Sequence, residues 1–568
     1  MDTKNDTFKR STFNGLDQQE GEKTCKSSAD NLESININDF EEEEYWRKTR
    51  KLLIIIVISS IILVLLIICA IIGILVPMQT KSNSFSVLNK DRDLPKTICN
   101  STLYKDSCYS RIYSLKMSSS KNIGSNLESP KEIFMLSLQV TLNELMKLES
   151  SISQENDEND PITKNTLDAC DHLIQDAIDN VNMSISSLQH DKLSTYDVSD
   201  IQTWLSTAIT DQQMCLDGLM EFENVSLSLQ EEMKTSMQNA TEFTSNSLAI
   251  ISNLFSIIQG PVYRKMLQVE ENHFNLIGWK HRRLLEAEKV NLRPNLTVAK
   301  DSSGNYRTIS EAVNVVPKRS NQRFFIYVKE GEYEEHMTIV SGSLNYADGV
   351  ATYDSGTFIG RGFIARDIGF KNKAGLTKLQ AVALRSSSDK SIFYRCYIDG
   401  YQDTLYTHTN RQYYRECIVT GTVDFILGNA AAVFQNCDLQ PRQPGPGHKT
   451  SFKIQECSIS TLGNFSACPF LGRPWNNYST TIVMKMDIQG IIDPAGWITW
   501  EPDTIAPDTI FFAEYKNTGS GSALDQRVTW PGYRRSITEE EAEMFSVEHF
   551  IQGSQWINEE NVKFDLRM

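Results

Sequence analysis

Two aspartates and a glutamine in the second half of the chain recur at nearly constant spacing. Gln380 precedes Asp403 by 23 residues, and Asp424 follows Asp403 by 21 residues. In a chain that winds into coils of this length, the three side chains would occupy roughly the same place on adjacent strands, ~4.8 Å apart. Two carboxylates at that distance repel each other, so one of them tends to keep a proton near neutral pH. The spacing therefore predicts an acid beside a nucleophile.

An arbitrary pair of aspartates is better explained as two unrelated, solvent-facing side chains. Here, however, Gln402 adjoins Asp403, and apolar residues surround Asp424 in the phrase GTVDFILG. Such a setting can hold an otherwise costly polar cluster in place. The sequence has no HExxH motif, no paired CxxC motifs and no GxSxG elbow, which argues against a metallohydrolase or a serine esterase. We expect neither a metal nor another cofactor.

A repeat of about twenty residues supports the coiled arrangement. The phrases FYRC, YREC, FQNC and IQEC end at Cys396, Cys417, Cys437 and Cys457, with separations of 21, 20 and 20 residues. Leucine-rich repeats share this period, but their signature is absent and the runs here are β-branched and aromatic. The repeat predicts a parallel β-helix in the region from residue 290 onward.

The preceding region, residues 97–255, has the period of amphipathic helices. Apolar residues recur at intervals of three and four, for example at Phe134, Leu138, Leu142 and Leu145. Residues 151–250 contain 18 acidic and 3 basic residues, a pattern that fits a solvated face or a partner surface; composition alone favours the solvated face. Four cysteines allow three disulfide connectivities, and spacing does not choose between them. These are Cys99, Cys108, Cys170 and Cys215.

An uncharged run of 25 apolar residues, 52–76, is long enough to span the ~30 Å hydrocarbon core of a bilayer as a helix. Basic residues precede it, which predicts that polar residues 1–51 form a disordered cytosolic tail and that the remainder is exported. Glycosylation sequons downstream agree with export, and the net charge of −16 argues against nucleic-acid binding. The sequons lie at Asn100, Asn182, Asn224, Asn239, Asn295, Asn464 and Asn477.

The helical region resembles the plant invertase and pectin methylesterase inhibitor family. The matching phrases are TICN, WLSTAIT, CLDG and SNSLAI, together with the early cysteine pair. The resemblance covers residues 94–254 and implies an all-α four-helix bundle that acts as a binding module. It also implies the disulfides Cys99–Cys108 and Cys170–Cys215.

The C-terminal region, residues 290–568, strongly resembles plant pectin methylesterases, which hydrolyse the C6 methyl esters of homogalacturonan. The ordered motifs QAVAL, YQDTLY, GTVDFILGNA and LGRPW carry the resemblance, and GFIARDI, EYKNTG and WPGY agree with it. The family implies an all-β, right-handed parallel β-helix. The complete chain is therefore predicted to be multidomain, with one transmembrane helix, a four-helix bundle and this β-helix.

The resemblance also implies roles for individual residues. Asp424 matches the nucleophile, and Asp403 matches the proton donor that later acts as a base. Gln402 and Gln380 match the groups that stabilise the oxyanion. The substrate-binding residues implied are Thr357, Gln380, Arg473 and Trp475, and a disulfide is implied between Cys396 and Cys417.

Residues 255–289 are predicted to be a linker. In the family context, Arg282, Arg283, Leu284 and Leu285 resemble a processing site that separates the inhibitor-like region from the enzyme. The expected partners are pectin, a processing protease, the membrane through residues 52–76, and the inhibitor-like domain's own or another pectin methylesterase. We expect a signal-anchored precursor in the secretory pathway and a mature enzyme in the cell wall.

The chain departs from the family pattern after residues 339 and 449, where about thirty residues in total are absent. Removing strands from a solenoid loses contacts between neighbouring coils. The alternative function is thus a catalytically impaired β-helix whose inhibitor-like domain serves as a binding module. A polygalacturonase or pectate lyase is a further alternative, because glycosidases also use carboxylate pairs. The glutamines and the LGRPW motif favour the esterase.

Overall fold

The computed structural model describes the greater part of the chain from residue 94 onward, in the ranges 94–119, 129–154, 160–189, 193–222, 225–258, 294–317, 324–329, 331, 341–354, 357–358, 361–445, 457–459, 468–501, 504–557 and 562–567. Within these ranges no helix has the length and apolar character needed to cross a membrane. The predicted membrane segment 52–76, the processing residues 282–285 and both departures from the family pattern lie outside the described residues.

The first part of the structure, residues 94–258, is helical, and we call it the helical domain. Its four long helices pack in a closed ring, α3 on α4, α4 on α5, α5 on α6 and α6 on α3. Disulfides join Cys99 to Cys108 and Cys170 to Cys215, which confirms both predicted pairs. The helices are α1 (Leu94–Cys99), α2 (Lys105–Ser119), α3 (Pro130–Gln154), α4 (Pro161–Ser187), α5 (Thr195–Glu221) and α6 (Leu227–Ile258).

Local sequence explains where these helices begin. Asp160 caps α4 by accepting hydrogen bonds from the backbone N–H groups of Ile162 and Thr163. Ser194 and Asp197 form a capping box at the start of α5. The apolar stripes at intervals of three and four turn inward, so that Phe134, Leu138 and Leu145 are each at most 1% exposed.

The second part, residues 294–567, consists mainly of parallel strands, and we call it the strand domain. The chain places one strand in each of three sheets and then repeats, and the sheets have the orders β4-β7-β10-β13, β5-β8-β11-β14 and β3-β6-β9-β12-β15-β16-β18. The strands in these sheets are β3 (Ser341–Gly342), β4 (Thr357–Phe358), β5 (Ile364–Arg366), β6 (Gly369–Asn372), β7 (Leu384–Ser386), β8 (Ser391–Tyr394), β9 (Tyr397–Asp399), β10 (Leu405–Thr407), β11 (Arg411–Arg415), β12 (Ile418–Gly421), β13 (Ile426–Leu427), β14 (Ala431–Gln435), β15 (Asp438–Pro441), β16 (Ser458–Ile459) and β18 (Asp487–Ile488).

The described strand domain also contains two smaller sheets, three short α-helices and three short 3-10 helices. The sheets pair β1 (Leu296–Val298) with β2 (Ile326–Val328), and β17 (Thr480–Met484) with β19 (Phe511–Tyr515) and β20 (Tyr533–Arg534). The α-helices are α7 (Ile309–Asn314), α8 (Glu539–Glu543) and α9 (Val547–Ile551).

The predicted period appears as the register between coils. Tyr413 pairs with Ile392 on one side and with Val433 on the other, which are 21 and 20 residues away. Aromatic rings stack along the interior from Phe393 to Tyr414 to Phe434, with centroid distances of 4.7 and 4.5 Å. Each coil thus buries its apolar residues against the coils before and after it.

The predicted disulfide between Cys396 and Cys417 is wrong, because both residues are buried free thiols. The Cys396 N–H donates to the Cys417 sulfur at 3.4 Å, and both thiols also donate to backbone carbonyls, Cys417 to Phe393 O at 3.2 Å and Cys396 to Ala365 O at 3.6 Å. Cys437 continues the same column of buried thiols on the next coil. The spacing correctly places these cysteines on adjacent coils, but adjacency alone does not make a bond.

Candidate active site

The strand register places Asp403 and Asp424 at the same level of two adjacent coils. Tyr406 pairs with Leu427 in the β10–β13 ladder. Asp403 lies three residues before Tyr406, and Asp424 lies three residues before Leu427. The backbone N–H of Asp403 donates to Val423 O at 3.0 Å, which joins the two turns directly. The structure therefore brings together the two carboxylates that the spacing predicted.

Both aspartates have a left-handed backbone conformation, with φ of 59° at Asp403 and 45° at Asp424. Non-glycine residues adopt this region at an energetic cost, although aspartate tolerates it better than most. Tight packing supports the turns: a Cβ atom on Gly421 would lie 2.4 Å from the Thr404 hydroxyl oxygen and 2.8 Å from Tyr401 O. The turn chemistry thus holds both carboxylates in fixed directions.

Arg473 binds the Asp424 carboxylate through two nitrogens. Its Nε donates to Oδ1 at 3.0 Å, and its Nη2 forms a second, close contact with Oδ2. A third nitrogen, Nη1, donates to Trp500 O at 3.2 Å, so the guanidinium itself is held in place. This charge-assisted pair orients the Asp424 carboxylate.

Asp403 and Asp424 are both buried, at 6% and 9% exposure, but Arg473 pairs with Asp424. Burial raises the pKa of Asp403 well above its usual range, and the neighbouring charge of Asp424 raises it further; Arg473 opposes the change. Glu221, at the end of helix α5, adds a further negative charge that raises the same pKa. The site thus combines a carboxyl group that tends to keep its proton with a carboxylate held by arginine.

The two predicted glutamines lie at the edge of this site. Gln380 and Gln402 are bridge partners on adjacent coils, so Gln380 is level with Gln402 and not with Asp403. Leu384 in β7 pairs with Leu405 in β10. Gln380 lies four residues before Leu384, whereas Gln402 lies three residues before Leu405, so the first coil has one extra residue here. The backbone N–H of Tyr346 donates to Gln380 O at 2.9 Å and anchors this residue.

Aromatic side chains form one wall of the site. Trp475 is 42% exposed and stacks on Trp500 with a centroid distance of 5.8 Å. The Arg473 guanidinium lies 3.9 Å from the centroid of the Trp500 ring. The sequence motifs did not predict Trp500. Thr357 lies on β4 and pairs with Arg385, so its backbone is farther along the sheet than the two aspartates.

Within the described ranges, no group of three or more histidine, cysteine, aspartate or glutamate side chains has an arrangement suited to a metal ion. The described groups at the site include the two carboxyl groups, the arginine and nearby amides.

A buried acid beside an arginine-held carboxylate, on parallel coils, is suited to hydrolysing an ester in an extended substrate. Residues 295–554 match the pectinesterase family model, and residues 93–250 match the plant invertase/pectin methylesterase inhibitor model. The chain belongs to the pectinesterase family and carries an inhibitor-like region ahead of the enzyme.

Individual relatives agree. The chain is 42% identical to "Pectinesterase 3" of Phaseolus vulgaris over 513 residues, which covers 83% of this chain and 86% of the relative. It is 38% identical to "Probable pectinesterase/pectinesterase inhibitor 46" of Arabidopsis thaliana, covering 88% and 93% of the two chains. The solved structure of pectin methylesterase from carrot is 41% identical and aligns with a TM-score of 0.47, covering 50% of this chain and all of that one.

Proposed function

We propose that this pectin methylesterase uses Asp424 as its nucleophile and Asp403 as its acid and base. The observation that carries the proposal is the contrast between the two carboxyl groups: Arg473 holds Asp424, whereas burial and the neighbouring charges favour a proton on Asp403. An esterase of this kind needs one ionised carboxylate and one acid at the same moment.

In the first half of the reaction, an Asp424 oxygen attacks the C6 carbonyl carbon of a methylated galacturonate. Gln380 and Gln402 donate hydrogen bonds to the oxyanion that forms, a contribution that is often worth about 3 kcal/mol per donor. Asp403 gives its proton to the departing methanol, and an acyl-enzyme anhydride remains.

In the second half, the ionised Asp403 takes a proton from water as the water attacks the anhydride. The product leaves as a C6 carboxylic acid, which loses the second proton of the water to solvent; Asp424 is regenerated, and Asp403 again holds its proton. Trp475 stacks on a sugar ring beside the site, and Thr357 contacts the substrate farther along the same sheet.

For the fold of the two domains, we propose that the helical domain is a four-helix bundle and that the strand domain is a right-handed parallel β-helix. We also propose that residues 52–76 anchor a precursor in the secretory pathway, with sequons downstream open to glycosylation. Cleavage at Arg282, Arg283, Leu284 and Leu285 would then detach the strand domain from this anchor so that it acts in the cell wall.

The helical domain is proposed to restrain its own enzyme or another pectin methylesterase. Two contacts at the end of helix α5 support this role. Glu221 accepts a hydrogen bond from the Thr352 hydroxyl at 3.0 Å, and Phe222 stacks on Tyr346 at 5.3 Å. Since the Tyr346 N–H anchors Gln380, the helical domain contacts the segment that supports the oxyanion site.

Product analysis on methylated pectin tests the proposed function. An esterase releases methanol and leaves the polymer length unchanged, whereas a polygalacturonase produces new reducing ends and a lyase produces unsaturated ends. If the chain binds pectin but releases no methanol, it is the catalytically impaired form, and the inhibitor-like domain is then its working part.

A further inference from the structure

The hydrophobic core of the helical domain continues into the strand domain. Ala351, Tyr353, Val382 and Tyr406 belong to the same buried cluster as the core of the helices. Tyr353 is 2% exposed and Tyr406 is 1% exposed, and the Tyr406 hydroxyl contacts the Met214 sulfur at 3.4 Å. Separating the domains would uncover this apolar surface on both sides.

Helix α5 has a glycine, Gly218, at a point where the strand domain packs tightly against it. A Cβ atom on Gly218 would lie 2.2 Å from the Tyr353 hydroxyl oxygen and 2.5 Å from its ring. Any other residue would therefore push the tyrosine away. Tyr353 is fixed from the other side as well, because Arg385 donates to its backbone oxygen at 3.0 Å and lies 5.6 Å from its ring centroid.

An ionic cluster secures the opposite end of the same helix. Asp200 contacts Arg411 at 2.7 Å, Lys390 at 3.1 Å and Arg361 at 3.6 Å, and all three cations belong to the strand domain. One turn farther along, the Trp204 indole donates to Asp389 at 3.2 Å. Arg411 and Lys390 are only 2% and 19% exposed, so losing Asp200 would leave buried positive charge on the strand domain with one fewer counter-ion.

We infer that cleavage in the linker does not by itself release the helical domain. The two domains remain a noncovalent complex, joined by the Tyr353–Gly218 contact at one end of α5 and by the Asp200 cluster at the other. The strand-domain surface that takes part is thus a docking surface for this chain's own helical domain. The inference rests on the proposed processing, but association can be measured without any catalytic activity.

The test uses the full chain with residues 281–286 replaced by a recognition sequence for a site-specific protease. After complete cleavage, gel filtration in 150 mM NaCl should give one peak of the uncut size that contains both fragments. Two separate, folded fragments would overturn the inference. Methanol release measured on the same samples reports independently on the proposed function, since retention and activity can fail separately.

Substitutions test which contacts keep the helical domain on the strand domain. In the cleaved chain, Asp200→Lys should weaken association by about 100-fold or more, because it places a fourth cation among three. Gly218→Leu should act similarly by displacing Tyr353. Glu231→Lys changes the same charge on α6, where Glu231 is exposed and its ion pair to Lys234 lies within that helix, and should leave association unchanged. Equal behaviour of Asp200→Lys and the Glu231→Lys control would overturn the role of the cluster, and circular dichroism of the uncut variants checks folding.

Discussion

The two aspartates of the candidate active site differ in their surroundings. Asp403 and Asp424 have the same chemistry and equivalent positions on adjacent coils, but only Asp424 receives the bidentate contact from Arg473. Burial and neighbouring anions raise the pKa of Asp403 instead. The proposed roles of Asp403 as acid and Asp424 as nucleophile therefore follow from the environment of each carboxyl group.

Replacing the proposed nucleophile should abolish turnover and spare binding. We expect Asp424→Asn to lower methanol release by about 10³-fold or more, while pectin affinity stays within several-fold because Trp475 and Arg473 remain. Asp487→Asn, on an exposed position of β18, is the matched control and should retain activity. Methanol release by Asp424→Asn within tenfold of the parent would refute the assignment.

Replacing the proposed acid should stabilise the fold as it removes activity. Because the pKa of Asp403 is raised in the folded state, its contribution to stability is present below pH about 4 and is lost as the pH rises toward the folded-state pKa. Asn cannot ionise, so the variant does not lose this stability as the pH rises. Asp403→Asn should therefore match the parent in melting temperature at low pH and exceed it increasingly toward pH 7.

Thermal unfolding from pH 3.5 to 8 measures this difference, and methanol release at pH 7 should fall by about 100-fold or more. A melting-temperature difference that does not change with pH would show that Asp403 titrates as it does in the unfolded chain.

The strands and turns explain how the coils repeat. A residue with positive φ precedes the cysteine in three successive phrases, namely Arg395 at 52°, Glu416 at 54° and Asn436 at 52°. This turn directs each following cysteine inward, where its sulfur contacts backbone carbonyls of the coil. The repeated phrase is therefore a corner signal, and its cysteine fills the core as a small apolar side chain.

Alkylation should distinguish these thiols from the disulfides of the helical domain. Unfolding in iodoacetamide without a reductant should label Cys396, Cys417 and Cys437 and leave Cys99, Cys108, Cys170 and Cys215 unlabelled. Before unfolding, the three thiols should resist labelling because each is at most 2% exposed. A cross-linked peptide containing Cys396 and Cys417 in the mass spectrum would contradict the structure.

The chain joins an acidic, inhibitor-like region to an enzyme that acts on pectin, a cell-wall polymer. The described residues from Leu94 onward belong to one compact unit. In it, helix α5 contacts the segment that supports Gln380 at its C-terminal end and Arg411 near its N-terminal end. Under the proposed processing, cleavage in the linker and release of the helical domain would therefore be two separate events.

Changing Arg282 and Arg283 to Ala should block the proposed cleavage and leave a full-length, membrane-associated species. Cell fractionation followed by immunoblotting of the C-terminal region measures this outcome, and a substitution of Lys289 to Ala in the same linker is the control. A soluble fragment that still begins near Glu286 would show that another site is cut.

The amino-acid sequence alone determined much of the fold and the site, because local periodicity records which residues share a position. The period of twenty to twenty-one residues placed Asp403 level with Asp424, and the intervals of three and four predicted the buried helix faces. Two of the three disulfides implied by the resemblance were also confirmed.

Only the tertiary structure decided what happens between elements far apart in the chain. Spacing placed Cys396 and Cys417 on adjacent coils but could not show that their sulfurs face backbone carbonyls. It also could not bring Trp500 to Arg473, Glu221 to Asp403, or Tyr353 to Gly218. The physical reason is that a period fixes positions along one repeating element, whereas side-chain direction and the contact of two surfaces depend on how separate elements pack.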